Sequence, residues 1–122
     1  MTQSIAPGPL KDLRVVDITS TVVGPCATQI LGDLGADILK VEEPGRGDYQ
    51  RGFPPIGKVD SGTFLLCNRN KRSMTLNLKH EEGKKIFREL AAHMGYDEPC
   101  FADSDEALAR QAFGAAVPFD AL

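Results

Sequence analysis

In this 122-residue chain, the residues best suited to chemistry lie in two short stretches. One is Asn68-Arg69-Asn70-Lys71-Arg72-Ser73, a dense group of cations with amides and a hydroxyl between them. Guanidinium and ammonium groups close to a turn bind phosphate oxygens through charge-assisted hydrogen bonds. A solvated basic turn between two apolar segments has the same composition, and the residues alone leave both readings open. The other stretch is Thr19-Ser20-Thr21-Val22-Val23-Gly24, which follows an apolar run and leads into Pro25. Proline is tolerated in the first turn of a helix, and open α/β sheets place ligands where a strand ends and a helix begins. Ser20 and Thr21 equally suit the satisfaction of turn backbone.

Other reactive side chains point to less. Arg46 and Arg51 stand among Gly45, Gly47 and Gly52 and suit either a lid over a ligand or a disordered excursion. His80 and His93 have no Cys or acidic residue at ligand spacing, so no metal site is expected, and His80 suits a helix start. Cys26, Cys67 and Cys100 are far apart, odd in number and without a CxxC, which argues against a zinc knuckle or a disulfide framework. Cys26 falls in the first turn of a helix, where a thiol pKa can drop, but with no His or Lys near it in sequence it reads as a small packing residue. Gly24 is not part of a GxGxxG, so a nicotinamide or flavin dinucleotide site is not expected.

These residues need elements to position them. Residues 13–18 are short, β-branched and apolar, as in a strand covered on both faces. Ala27, Ile30, Leu31 and Leu34 recur at helical spacing as a buried stripe, with Gly35 where a C-terminal cap belongs. A second strand is expected over 36–42, giving β-α-β at a length suited to a right-handed crossover. Residues 43–63 form a long Gly- and Pro-rich loop, and the state of 64–67 stays open. Residues 68–73 read as a polar basic turn and 74–78 as a third strand with one wetter face. Glu81 and Glu82 open a helix running to about His93, with Ile86, Phe87, Leu90 and Ala91 as its buried stripe. The chain thus divides into an arm (1–9), an α/β segment (10–93) and an acidic tail (94–122) with one expected helix at 104–113. Three parallel strands with helices on both faces would leave apolar edges exposed, as in part of a larger fold.

Composition limits the function classes. Hydrophobic residues make up 42% and charged residues 25%, the range of one globular domain. A net charge of −3 argues against general binding to nucleic acid. The first thirty residues lack a basic start and a continuous apolar run, so no signal peptide, membrane span or membrane partner is expected. Together with the cysteine usage this suggests a cytoplasmic protein.

The order of residues resembles the N-terminal segment of the class III CoA-transferase family, of the CaiB/BaiF type. The resemblance lies in Pro9-Leu10-x-x-Leu13-Arg14-Val15-Val16-Asp17, Gly24-Pro25-x-Ala27-Thr28-Gln29, Asp33-Leu34-Gly35-Ala36-Asp37-Ile38-x-Lys40-Val41-Glu42, Pro44-Gly45-x-Gly47-Asp48, Asn68-Arg69-Asn70-Lys71-Arg72-Ser73 and Leu76-x-Leu78-Lys79-x-x-x-Gly83. It implies the opening β-α-β-loop-β-α part of a Rossmann-like large domain, whose full-length relatives add a small domain and form interlocked homodimers. It also implies transfer of coenzyme A from an acyl-CoA to a carboxylic acid, with CoA as substrate and no metal. An aspartate attacks the thioester in that mechanism, passing through an acyl anhydride and an enzyme-bound CoA thioester.

The resemblance places that aspartate in a later block with no match here, which predicts a truncated or internally deleted transferase and no catalytic residue in this chain. Asp97, in Gly95-Tyr96-Asp97, is only a weak match to a Gly-aromatic-Asp motif. The tail suggests either a small-domain remnant or a frame-changed end. CoA carries phosphates that need cations or N–H donors. By resemblance, Asn70, Lys71 and Arg72 lie near its nucleotide, and Ser20, Thr21, Val22 and Val23 border the thioester and pantetheine. Val22 stands where some relatives have a catalytic Gln. The 2-methylacyl-CoA racemase branch and a non-catalytic CoA-binding module are the alternatives.

Overall fold

The computed structural model describes residues 8–94. The expected helix at 104–113 and Asp97 lie outside them. Strands β1 (Arg14–Asp17), β2 (Asp37–Glu42) and β3 (Lys71–Thr75) form a parallel sheet with β2 in the centre. Helix α1 (Val23–Asp33) connects the first two strands, and α2 (Gly62–Asn68) precedes the third. Helix α3 (Glu81–His93) follows it.

The in-register pairs Asp17↔Lys40, Ile38↔Lys71 and Lys40↔Ser73 put Val15, Asp17, Ile38, Lys40, Glu42, Lys71 and Ser73 on one face, because side chains alternate along a strand. Helix α1 covers this face. Thr28 donates to Asp17 Oδ2 at 2.7 Å, and a Cβ on Gly32 would lie 3.3 Å from Ile38 Cγ1. Arg14 belongs to the opposite face and donates to the His93 carbonyl at the end of α3 at 3.4 Å. Helices therefore flank both faces, as the β-α-β-loop-β-α order predicts.

Three elements differ from expectation. The third strand begins at Lys71 instead of 74, so Lys71, Arg72 and Ser73 are strand residues and not a turn. The undecided segment 64–67 is helical within α2. On α1 the expected stripe is turned outward: Ile30 and Leu34 are 56% and 42% exposed and Ala27 is exposed, while Pro25 and Gln29 are buried. The sheet face beneath α1 carries Asp17 and Lys71, which need polar partners such as Thr28 and the Pro25 carbonyl more than they need leucines.

Two other expectations match, the glycine after α1 and the bounds of α3. Gly35, at φ 102, directly follows the helix cap at Leu34. Helix α3 has its expected bounds, and Phe87 and Ala91 are buried, although Ile86 is 44% exposed. No helix among the described residues is long and apolar enough to cross a membrane.

Candidate functional site

The Thr19–Val23 loop leaves the carboxyl end of β1 and is held from below by two buried carboxylates. Asp17 accepts from the Thr19 amide at 2.9 Å and from its hydroxyl. Asp48 Oδ1 accepts from Ser20 Oγ at 3.2 Å, from the Thr21 amide at 3.1 Å and from the Gln50 amide at 2.9 Å. Lys40 lies between them: its Nζ donates to the Thr19 carbonyl at 2.8 Å and sits 2.8 Å from Asp48 Oδ2. That oxygen has no well-aligned hydrogen bond among the described residues, so the Lys40 contact is charge pairing without good bond geometry.

The loop that results is taut and exposed. Thr21 has φ 71, a left-handed conformation that a β-branched residue adopts only when its surroundings force it. Val22 is the N-cap of α1, and its side chain cannot accept a hydrogen bond, so no side chain caps the helix. Val23, in the first turn, is 84% exposed. The loop therefore presents hydroxyls, a strained backbone and an uncapped helix start, with negative charge held underneath and not at the rim.

Electrostatics explain why the charges beneath the loop stay buried. Burial alone would raise the Asp17 carboxyl. Bonds from Thr19 and Thr28, with Lys40 and Lys71 nearby, outweigh that effect and hold it below the usual carboxylate range. Burial pushes the Lys71 ammonium down despite its 3.0 Å pairing with Asp17 Oδ2. Asp17 also has hydroxyl and amide donors and is the better satisfied partner, whereas Lys71 relies on Asp17, the Pro25 carbonyl and Asn68 Oδ1.

The long 43–63 loop is pinned by charge and is neither an open lid nor an excursion along its described course. Arg51 donates to both Glu42 oxygens at 2.7 Å and also pairs with Asp60. Burial opposes ionisation of Glu42, but bonds from Arg51, Ser73 and the Asp48 amide bring its pKa down to about 2. Arg51 also stacks on Phe64 at 3.7 Å, and Arg46 on Tyr49 at 3.5 Å.

The basic stretch is dispersed. Arg69 pairs with Asp33 and Arg72 with Asp37, whereas Lys71 turns to the other face and pairs with Asp17. Asn70, at φ 61, donates to Asp33 Oδ1 at 2.6 Å at the C-terminal end of α1. The structure thus brings Ser20, Thr21, Val22 and Val23 together at one end of α1 and puts Asn70 and Arg72 toward the other. That helix has 11 residues, so Asn70 is roughly 16 Å along it from the loop, whereas Arg72 is on the sheet face that α1 does not cover. His80 caps α3 by accepting from the Glu82 amide at 3.3 Å. Cys26 touches Cys67, which the sequence spacing did not reveal.

Residues 10–94 match CoA-transferase family III. The chain belongs to this family. A succinyl-CoA:glutarate CoA-transferase of Mus musculus is 48% identical over 85 residues, covering 69% of this chain and 20% of that protein. The succinyl-CoA–L-malate CoA-transferase beta subunit of Chloroflexus aurantiacus is 48% identical over 86 residues, covering 70% of this chain and 21% of its own length. A crystal structure of a CAIB/BAIF family protein from Brucella suis superposes with a TM-score of 0.67 at 41% identity, covering 71% of this chain and 24% of that chain. The chain spans about one fifth of the length of these curated relatives.

In this family III chain, the residues that build the loop are mostly ones whose types gave no sign of a site. Lys40 interrupts the apolar run in the middle of the central strand, and a lysine there needs a buried carboxylate; that signal was present in Ile38-Leu39-Lys40-Val41. Its partner Asp48 comes from an irregular loop, where residue pattern gives no contact.

Proposed function

We propose that this chain supplies the CoA-side segment of an acyl-CoA:carboxylate CoA-transferase. The exposed, uncapped Thr19–Val23 loop, held over Asp17 and Asp48, carries the reading: with its Thr19 and Thr21 amides and the Thr19 and Ser20 hydroxyls committed to those carboxylates, it offers the Thr21 hydroxyl and the uncapped amides at the start of α1 to the acyl-pantetheine end of CoA. Arg72, whose side chain is 65% exposed, and Asn70 are the proposed nucleotide contacts, since an exposed pair with Asp37 exchanges readily for a phosphate. Lys71 is already committed to Asp17 and serves as a positioning residue under the loop. The two named relatives use succinyl-CoA, which makes it the first donor to test.

The nucleophilic aspartate implied by the family resemblance has no matching block among these 122 residues. The chain by itself is therefore proposed to bind CoA without transferring it. Titrating the purified chain with CoA and recording amide NMR spectra tests the binding. Shifts at Ser20 to Gly24 and at Asn70 and Arg72 are expected, and a spectrum indifferent to CoA overturns the reading. Incubation with succinyl-CoA and labelled glutarate or malate tests the rest: label appearing in a new thioester would show that the chain carries its own nucleophile.

A further inference from the structure

Helices α1 and α2 meet at two sulfurs. Cys26, in the first turn of α1, is partly exposed and lies with its Sγ 3.3 Å from Sγ of Cys67, near the end of α2. Cys67 is 3% exposed and also receives the Gln50 side-chain amide at 3.5 Å. The residues are far apart in sequence, so this contact is a product of the fold. A disulfide needs the sulfurs about 1.3 Å closer, a displacement within reach of side-chain rotation. One cysteine is partly exposed and the other is buried in contact with it, the arrangement of an attacked and a resolving cysteine.

We propose that Cys26 and Cys67 form a dithiol modification site that a peroxide oxidises to an intramolecular disulfide joining α1 to α2. Hydrogen peroxide reaches the half-buried Cys26 first. The sulfur attacks one peroxide oxygen, the O–O bond breaks, and the products are a sulfenic acid at Cys26 and one water. Cys67 sulfur then attacks Cys26 sulfur, forming the S–S bond and breaking the S–O bond. The departing hydroxide takes up the Cys67 proton as a second water. The two thiols together lose two electrons, and the peroxide gains them.

Two surroundings shape the rate. The hydrogen bond to Cys67, followed by burial, raises the Cys26 pKa above the usual thiol value, so the first step is slow at neutral pH and quickens as pH rises. The second step is intramolecular between groups already in contact, so the sulfenic acid is captured before further oxidation.

The test uses the whole chain with Cys100→Ser, which removes the remaining thiol. After treatment with hydrogen peroxide, intact mass and free-thiol titration are expected to show loss of two hydrogens and both thiols. A non-reducing peptide map is expected to link the Cys26 and Cys67 peptides. Bridging in native buffer is expected to exceed that in denaturing urea at least about tenfold, because only the fold holds the pair together. Phenylarsine oxide, which reacts with paired thiols, is expected to bind once per reduced chain. Dimedone-trapped sulfenic acid at Cys26 with Cys67 still free, bridging between chains, or equal rates in buffer and urea would each overturn the proposal. CoA plays no part in these readouts, so they stand or fall separately from the proposed binding function.

Discussion

Lys71 and Arg72 are adjacent in sequence and serve opposite faces of the sheet: Lys71 Nζ lies 3.0 Å from Asp17 Oδ2, and Arg72 Nη2 lies 2.7 Å from Asp37 Oδ2. Side-chain exposure separates them further, 2% for Lys71 and 65% for Arg72. Replacing one partner of a buried pair strands the other charge, so Lys71→Ala is expected to destabilise the chain by about 3–5 kcal/mol. Arg72→Ala is expected to change stability by less than about 1 kcal/mol, as for exposed pairs. Urea unfolding of both variants measures the difference. CoA titration of Arg72→Ala should then show binding weakened by roughly 1.5–3 kcal/mol, the worth of a hydrogen bond to a charged group. Equal stability losses in the two variants would contradict the division of roles.

Acid should undo the brace between the sheet and the long loop. Glu42 has a folded pKa of about 2 against an ordinary value of 4.5, so its stabilisation is complete above the ordinary value and is lost as pH falls from there toward 2. That lowering, from 4.5 to about 2, corresponds to roughly 3 kcal/mol. Asp17, also held low, adds to the loss in the same direction. Glu42→Gln removes the titrating group, so the variant should be less stable than the parent at pH 7 and should lose less on acidification. Thermal melts across that range, with the parent's extra loss below pH 4.5 as the readout, check it.

What the residues revealed in advance depended on whether a physical pattern could carry it. Strand β2 and helix α3 were legible because their apolar residues follow a strand run and a helical stripe in simple form. Strand β3 was misplaced because Lys71-Arg72-Ser73 look like a turn when the buried carboxylate that accepts Lys71 is 54 residues away. The stripe on α1 was assigned to the wrong side for a related reason: this helix meets charges below it, and its apolar side faces outward. Ser20 to Val23 were placed at the end of β1 from order alone. The restraint that shapes them, Asp48, lay in a loop without periodicity. The Cys26–Cys67 contact was invisible for the same reason, since spacing in sequence does not report packing between helices.

Gly83 offers a test in which two effects have opposite signs. At an ordinary helix position Gly→Ala stabilises by about 1 kcal/mol. Gly83 is the third residue of α3, and a Cβ there would lie 1.9 Å from the Asn77 carbonyl oxygen, which is backbone and cannot swing aside. Gly83→Ala is therefore expected to destabilise by about 1–3 kcal/mol, the range for overpacked sites. Denaturant midpoints measure the sign, and a stabilised variant would mean that α3 is free to move away from the 76–80 segment.

The Lys40 and Asp48 pair can be separated from its role under the loop by substituting both. Asp48→Asn keeps an oxygen for Ser20, Thr21 and Gln50 but removes the charge facing Lys40, which at 1% exposure has no water to turn to. That single change is expected to destabilise by about 3–5 kcal/mol. Lys40→Met in the same chain removes the stranded ammonium while keeping most of its apolar stem, so the double variant should recover a large part of the loss. The Thr19 carbonyl would lose its 2.8 Å donor in the double variant. If Lys40 also positions the loop, CoA binding should stay weakened while urea unfolding recovers. Joint recovery of binding and stability would mean that the side-chain oxygen at position 48 is enough to hold Thr21 in place and that the ammonium only balances the Asp48 charge.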